Sequence, residues 1–179
     1  METILCYFGF MPVENHPLPP HSFRIKKLKS LLVIVENSIR GGDNYLFRNL
    51  YADINGAEKD ILEDGALSCA VFVSAVLLNL GLIKKPHATV ASAIKDMSES
   101  GWQEITQLNP GVVIVWEKIK FEDGKEHPHL GFYVGKDEAV SNSFPDRCPR
   151  RHHVTYGTNP DGTPARKIEK IYWHKDLDD

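Results

Sequence analysis

Several features are scarce in this chain, and each scarcity removes a class of function. Cys6, Cys69 and Cys148 are its three cysteines, an odd number that cannot pair completely within the chain and makes no disulfide framework. Neither sign of charge dominates, since 21 Lys and Arg stand against 24 Asp and Glu for a formal net charge of -3. No global positive field therefore draws the chain to nucleic acid or to an anionic membrane. No apolar run approaches the roughly 18 residues needed to span a bilayer. The opening stretch "METILCYFGFMPVENHPLPPH" has no basic n-region and carries Glu2, which argues against a secretory signal. The expectation is a cytoplasmic protein, with delivery by a non-signal route if its substrate lies outside the cell. Internal repeats and low-complexity segments are also absent from the sequence.

What is present fits one globular domain. The 179 residues are 42% hydrophobic and 25% charged, within the range of a single core of about 100 to 200 residues. Residues 1 to 23 hold Pro12, Pro17, Pro19 and Pro20 and read as an extended arm. The domain proper is expected over residues 24 to 179.

Its first half has helical periodicity. Ile25, Leu28, Leu31, Leu32, Ile34, Val35 and Ile39 form a stripe that ends at Gly41-Gly42. Asn55-Gly56, between partly alternating flanks, predicts a hairpin. The run from Cys69 to Leu80 is apolar on nearly every side, which predicts a central helix closed by Gly81. A third helix is expected after Thr89, a good N-cap, with Gly101 at its end. Beyond Gly101 the pattern changes to short β-rich runs: "GVVIVWEKIKF", "HLGFYVG", "EAVSNSF", "HHVTYG" and "ARKIEKIYWH". Turn-rich loops separate them, "PDRCPRR" among them. Helices followed by an antiparallel sheet give an α+β class.

Cys69 stands where this central helix begins. Unsatisfied N-H groups and the positive end of the helix dipole favour a thiolate there. A base has to come from elsewhere, and His129 opens the strand "HLGFYVG". Alternation puts Leu130, Phe132 and Val134 on one face, packed on the central helix, and His129, Gly131 and Tyr133 on the other. Gly131 beside the histidine leaves room for a substrate or a close backbone. His127 precedes Pro128 and is expected in the loop before the strand. The hairpin through residues 135 to 137 brings Ser141, Asn142 or Ser143 beside His129. Asn142 is the preferred third member because its amide oxygen accepts from an imidazole N-H, with Ser141 as the alternative.

"LSCAVFV" at a helix head, "NPGVVIVWE" and "HPHLGFYVGKDEAVSNS" together resemble the NlpC-type cell-wall peptidases and the related CHAP amidases. The similarity spans residues 64 to 143, and its most specific part is His-x-Gly-x-Tyr-x-Gly from His129 to Gly135. The resemblance implies a papain-like core with Cys69 as nucleophile, His129 as base and acid, and a polar third residue. Its spacing points to Ser141, and Asn142 requires one extra residue in the hairpin. It also implies a cysteine amidase or endopeptidase acting on peptidoglycan peptides through a thioester, without a cofactor. The sequence departs from the family pattern at Ser68-Cys69-Ala70 and at Gly111-Val112.

Further expectations attach to Tyr51 as an oxyanion donor and to His152 and Arg151 as contacts in the cleft. Arg147, Arg150 and Arg151 offer a clamp for a substrate carboxylate. His127, His129, Cys148, His152 and His153 match no common zinc spacing, and adjacent His152 and His153 would point to opposite faces of a strand. No metal is expected. The competing readings are an amidase or acyltransferase of the same fold acting on another amide or thioester, and a non-catalytic cleft that binds peptide or glycan.

Overall fold

The computed structural model describes residues 24–120, 124 and 126–178; the expected arm over residues 1 to 23 lies outside them. Helix α1 (Lys27–Asn37) buries Leu31 and Val35, and its Lys27 pairs with Asp176 at 2.7 Å. Strands β1 (Tyr51–Ile54) and β2 (Ala57–Asp60) form the hairpin expected at Asn55-Gly56. Both turn residues have positive φ, 56° and 80°, the type I′ geometry that Asn-Gly favours. Helix α2 (Cys69–Asn79) buries Ala70, Phe72, Val73, Ser74, Val76 and Leu77, so nearly its whole circumference is covered. Helix α3 (Val90–Glu99) begins at Thr89, whose side chain accepts from the Ser92 N-H.

The second half is a six-stranded antiparallel sheet in the order β3-β8-β4-β5-β6-β7. Its strands are β3 (Trp102–Ile105), β4 (Val113–Lys120), β5 (Glu126–Gly135), β6 (Glu138–Ser143), β7 (Cys148–His153) and β8 (Ile168–His174). The protein is therefore α+β, with its helices preceding a C-terminal antiparallel sheet.

Three boundaries differ from expectation. Strand β3 falls in a stretch too short to show alternation, and its pairing with β8 defines it. Residues Cys148 to Arg151, expected in a loop, begin β7 because each finds a register partner on β6. His127 lies inside β5, paired with Ile119, and not in a preceding loop. Pro128 is tolerated there because it stands opposite the irregularity between Trp116 and Ile119, where no ladder N-H is required.

The sheet is buried on both faces. Val113 and Val115 of β4, Leu130 and Phe132 of β5 and Val140 of β6 join the helices in the main core. Each fully buried Leu or Phe there contributes about 2 kcal/mol relative to exposure. Val112, Ile114, Trp116, Tyr133, Ala139 and Val154 form a second cluster on the far face. The alternation read from "HLGFYVG" thus holds: Leu130, Phe132 and Val134 pack toward α2, while Tyr133 turns away with the far cluster. Trp173 lies on β8, an interior strand between β3 and β4. Among the described residues, no helix is long and apolar enough to cross a membrane.

Candidate active site

Cys69 is the first residue of α2, and α2 packs against β5 and β6. The approach to it is conformationally unusual: Glu63, Asp64 and Gly65 all have positive φ. At Gly65 a Cβ would stand 2.6 Å from the Arg147 carbonyl oxygen, so only glycine fits. Helix and strand bring Cys69 and His129 into one groove of about 520 Å³, whose wall also includes Ala66, Ala70, Val90, His127 and Pro128. A second groove of about 640 Å³ carries His129, Ser141, His152, Tyr156 and Arg166. Ala66 and His129 belong to both, so the two grooves meet at the histidine.

Ser141 occupies the position expected of the third member. Its Oγ lies 2.9 Å from His129 Nε2, 2.8 Å from His152 Nε2 and 3.1 Å from the Tyr156 hydroxyl. Asn142 does not face His129. As the next residue on β6 it turns to the opposite face of the sheet, where its Nδ2 donates to the Gly65 carbonyl at 2.8 Å. Asn142 therefore ties β6 to the chain leading into Cys69, and its buried Oδ1 has no hydrogen-bond partner among the described residues. Gly131 makes the close approach possible, but for protein rather than substrate. A Cβ at Gly131 would fall 2.7 Å from Ser141 Cβ and 2.9 Å from Trp116 Cη2.

The proton positions follow from the partners. His152 Nδ1 lies 2.7 Å from the His153 carbonyl, which only accepts, so Nδ1 bears the proton. Burial lowers the His152 pKa, and the imidazole is neutral with a bare Nε2. Ser141 has one proton and donates it to that nitrogen. Its oxygen then accepts from His129 Nε2-H and from the Tyr156 hydroxyl. His129 Nδ1 is left with a lone pair, the form required of a base. The Tyr156 ring stacks on His152 at 3.9 Å, and Trp116 packs against both histidines and Tyr156.

Burial, more than the helix end, governs charge at this site. It raises the Cys69 thiol above its ordinary value of 9.0, although the N-H groups of Leu130 and Ala70 act in the opposite direction. His129 is pushed down to about 3, first by burial and then by the positive charge of Arg166, with His152 acting in the same direction. The helix N-terminus was expected to leave a thiolate, yet desolvation outweighs it. The resting pair is a neutral thiol and a neutral imidazole, and no hydrogen bond joins them among the described residues. Ser68 adds no cap, because it sits in the helical region and its buried hydroxyl finds no partner among the described residues.

The remaining expected residues divide. His152 is brought to the centre, whereas Tyr51 is 63% exposed on β1 and lines neither groove. Arg151 borders the larger groove but is held by Glu36 and Glu138. Arg150 is likewise held by Asp43 and Asp146, and Arg147 donates to the Glu63 carbonyl. Among the described residues, no group of three or more His, Cys, Asp or Glu side chains is placed to hold a metal ion.

Two residues of the site had no sequence signal beyond their type. Tyr156 adopts a left-handed conformation, φ 60°, immediately before Gly157. Arg166 is placed by a loop that folds back, with its N-H donating to the Thr155 carbonyl and that of Ala165 to the Gly157 carbonyl. No family model matches this chain, and no curated protein matches it. Geometry and chemistry therefore bear the functional argument.

Proposed function

We propose that this protein is a cysteine-dependent amide hydrolase with a papain-like core, an amidase or endopeptidase acting on peptidoglycan peptides. The supporting observation is the hydrogen bond between His129 Nε2 and Ser141 Oγ, which leaves Nδ1 as a base in the groove that also holds Cys69. In this reading Ser141, and not Asn142, is the third member of the triad.

As Cys69 Sγ adds to the amide carbonyl, its proton passes to His129 Nδ1. The carbonyl oxygen becomes an oxyanion, stabilised by N-H groups at the start of α2, that of Cys69 among them. His129 then returns the proton to the leaving nitrogen, the C-N bond breaks and a thioester remains. Water attacks the thioester with His129 as base. The acid is released and Cys69 regains its proton.

A second reading is a cleft that binds peptide or glycan without cleaving it. It is favoured by the neutral resting state, with the thiol raised and the imidazole lowered. Digestion of purified peptidoglycan and its soluble fragments, read by mass spectrometry against Cys69→Ala, separates the two. New termini that require Cys69 support the hydrolase; fragments that bind but stay intact with the wild type overturn it. Cleavage of other amides or thioesters, with peptidoglycan left intact, moves the substrate and keeps the chemistry.

A further inference from the structure

The arginine with an unmet charge in the larger groove is one that the sequence pattern did not single out. Arg150 and Arg151 border this groove, yet carboxylates of Asp43, Asp146, Glu36 and Glu138 already neutralise them. Arg166 is different. It is 7% exposed and has no carboxylate within ion-pair distance among the described residues. Its Nε and Nη2 donate to the Glu117 carbonyl at 3.1 and 2.9 Å, and Nη2 also reaches the His127 carbonyl at 3.3 Å. The Glu117 carboxylate turns instead to the Lys167 N-H at 2.8 Å. Nη1 takes no part in these bonds to carbonyls, the guanidinium lies 5.6 Å from the Tyr156 ring centroid, and Arg166 lines the groove beside His129, Ser141, His152 and Tyr156.

A desolvated guanidinium that feels the Glu117 carboxylate but forms no ion pair with it is a costly arrangement unless an anion completes it. The carbonyls fix the guanidinium plane and leave one edge for the groove, which suits an oxyanion. The rest of the wall includes Ile119, Phe144, Pro145 and Ala165, a surface for an apolar side chain and not for a polyanion. One uncompensated positive charge matches one negative charge, which selects a carboxylate over a phosphate dianion.

We infer that Arg166 binds a carboxylate of the substrate peptide, placing the chain in the larger groove so that its scissile amide meets Cys69 beyond His129. This rests on the peptide-hydrolase reading and makes it narrower: the preferred substrates carry a free carboxylate near the cleaved bond.

The test uses acetyl-Ala-Ala with a free C-terminal carboxylate and the same peptide as its C-terminal amide. Both are titrated at low salt into the full chain, with NMR following the Arg166 Nε-H and the ring signals of His129 and His152. The expected result is binding of the acid about tenfold tighter than the amide, as for a charge-assisted hydrogen bond to a buried cation. The preference is lost in Arg166→Gln, partly kept in Arg166→Lys and unchanged in Arg151→Gln. Equal affinity of acid and amide, or no binding of either, overturns the inference in the wild type alone, even if a variant fails to fold. Loss of the preference in Arg151→Gln with retention in Arg166→Gln overturns it as well. The same titration in Cys69→Ala separates the two levels. Acid preference with no Cys69-dependent cleavage of peptidoglycan or of any other amide or thioester leaves the anion site standing and removes the enzyme. Hydrolysis without acid preference does the reverse.

Discussion

Replacing Ser141 by alanine is the most direct test of how the site is wired. The side chain is 1% exposed, and one oxygen satisfies His129, His152 and Tyr156 at 2.8 to 3.1 Å. Tyr156 is 39% exposed, so water replaces its lost acceptor at little cost. The two imidazole nitrogens have no such recourse. At about 1 kcal/mol for each net hydrogen bond, and more where a buried group is left unpaired, Ser141→Ala should lower stability by about 2 to 3 kcal/mol. Urea unfolding measures this. Nitrogen-15 NMR of the histidine rings supplies a readout that a loss of stability alone would not produce. In the wild type, His129 should have its proton on Nε2, slowly exchanging, and His152 on Nδ1. In Ser141→Ala, the His129 Nε2-H should lose its protection. His152→Phe, which keeps a ring against Tyr156, should leave the serine hydroxyl without its acceptor and broaden the same His129 signal. A wild-type His129 with its proton on Nδ1 refutes the wiring, as does a Ser141→Ala protein within 0.5 kcal/mol of wild type.

Asn142→Ala should cost about 1 kcal/mol through the lost bond to Gly65 while leaving the His129 N-H signal unchanged; a changed signal would return Asn142 to the histidine. Gly131→Ala drives a methyl into Ser141, the Val140 carbonyl and Trp116, all closer than 3.0 Å. It should cost about 3 kcal/mol by overpacking, and thermal unfolding within a degree of wild type would contradict the tight register of β5 and β6. His129 has a folded-state pKa of about 3, below its ordinary 6.5. Between those values the unfolded chain binds the extra proton, so stability is full above about pH 6.5 and falls as pH drops toward 3. His129→Gln should flatten that part of the profile in urea unfolding, and an unchanged slope would assign it to other groups.

Legibility in the sequence tracked the range of the interactions. The Asn55-Gly56 turn, the Thr89 cap and the alternation through Leu130, Phe132 and Val134 are local, and each was readable because neighbouring residues decide it. The choice between Ser141 and Asn142 was legible only in the spacing of the family resemblance, which pointed to Ser141, since one step along β6 reverses the face and the hairpin register had to be known. Residue chemistry favoured the amide; the register Gly131↔Ser141 put the hydroxyl on the histidine's side. Tyr156 and Arg166 escaped notice because a loop far along the chain delivers them, with no periodicity to mark it. The charge state was misjudged for a related reason. A helix N-terminus is visible in a sequence, whereas the closure of a cleft around a sulfur depends on every element that packs there.

The burial of Cys69 also decides how its thiol responds to loss of His129. If His129 were a cation beside a thiolate, removing it would raise the apparent pKa of Cys69, because a stabilising charge is lost. In the structure His129 is neutral, and burial is the first cause of the raised thiol pKa. Removing the imidazole then takes away part of the low-dielectric wall and admits water while removing no charge. Arg166, which favours the thiolate, stays in place. Iodoacetamide labelling of Cys69 across pH, read by peptide mass spectrometry, should give an apparent pKa above 9.0 in the wild type, with under about 1% thiolate at pH 7. In His129→Ala that pKa should fall toward the ordinary value and labelling at pH 7 should quicken. A wild-type pKa below 8.5 that rises in His129→Ala would refute this and show a resting ion pair. If the pair reacts as proposed, the same balance of charges limits when it can do so. Each charge alone is disfavoured, yet opposite charges 4 Å apart at an effective dielectric of 20 attract by about 4 kcal/mol. On the proposed hydrolase reading, proton transfer from Cys69 to His129 is therefore most accessible in concert with attack, when both charges arise together and the bound substrate's oxyanion takes up the negative one.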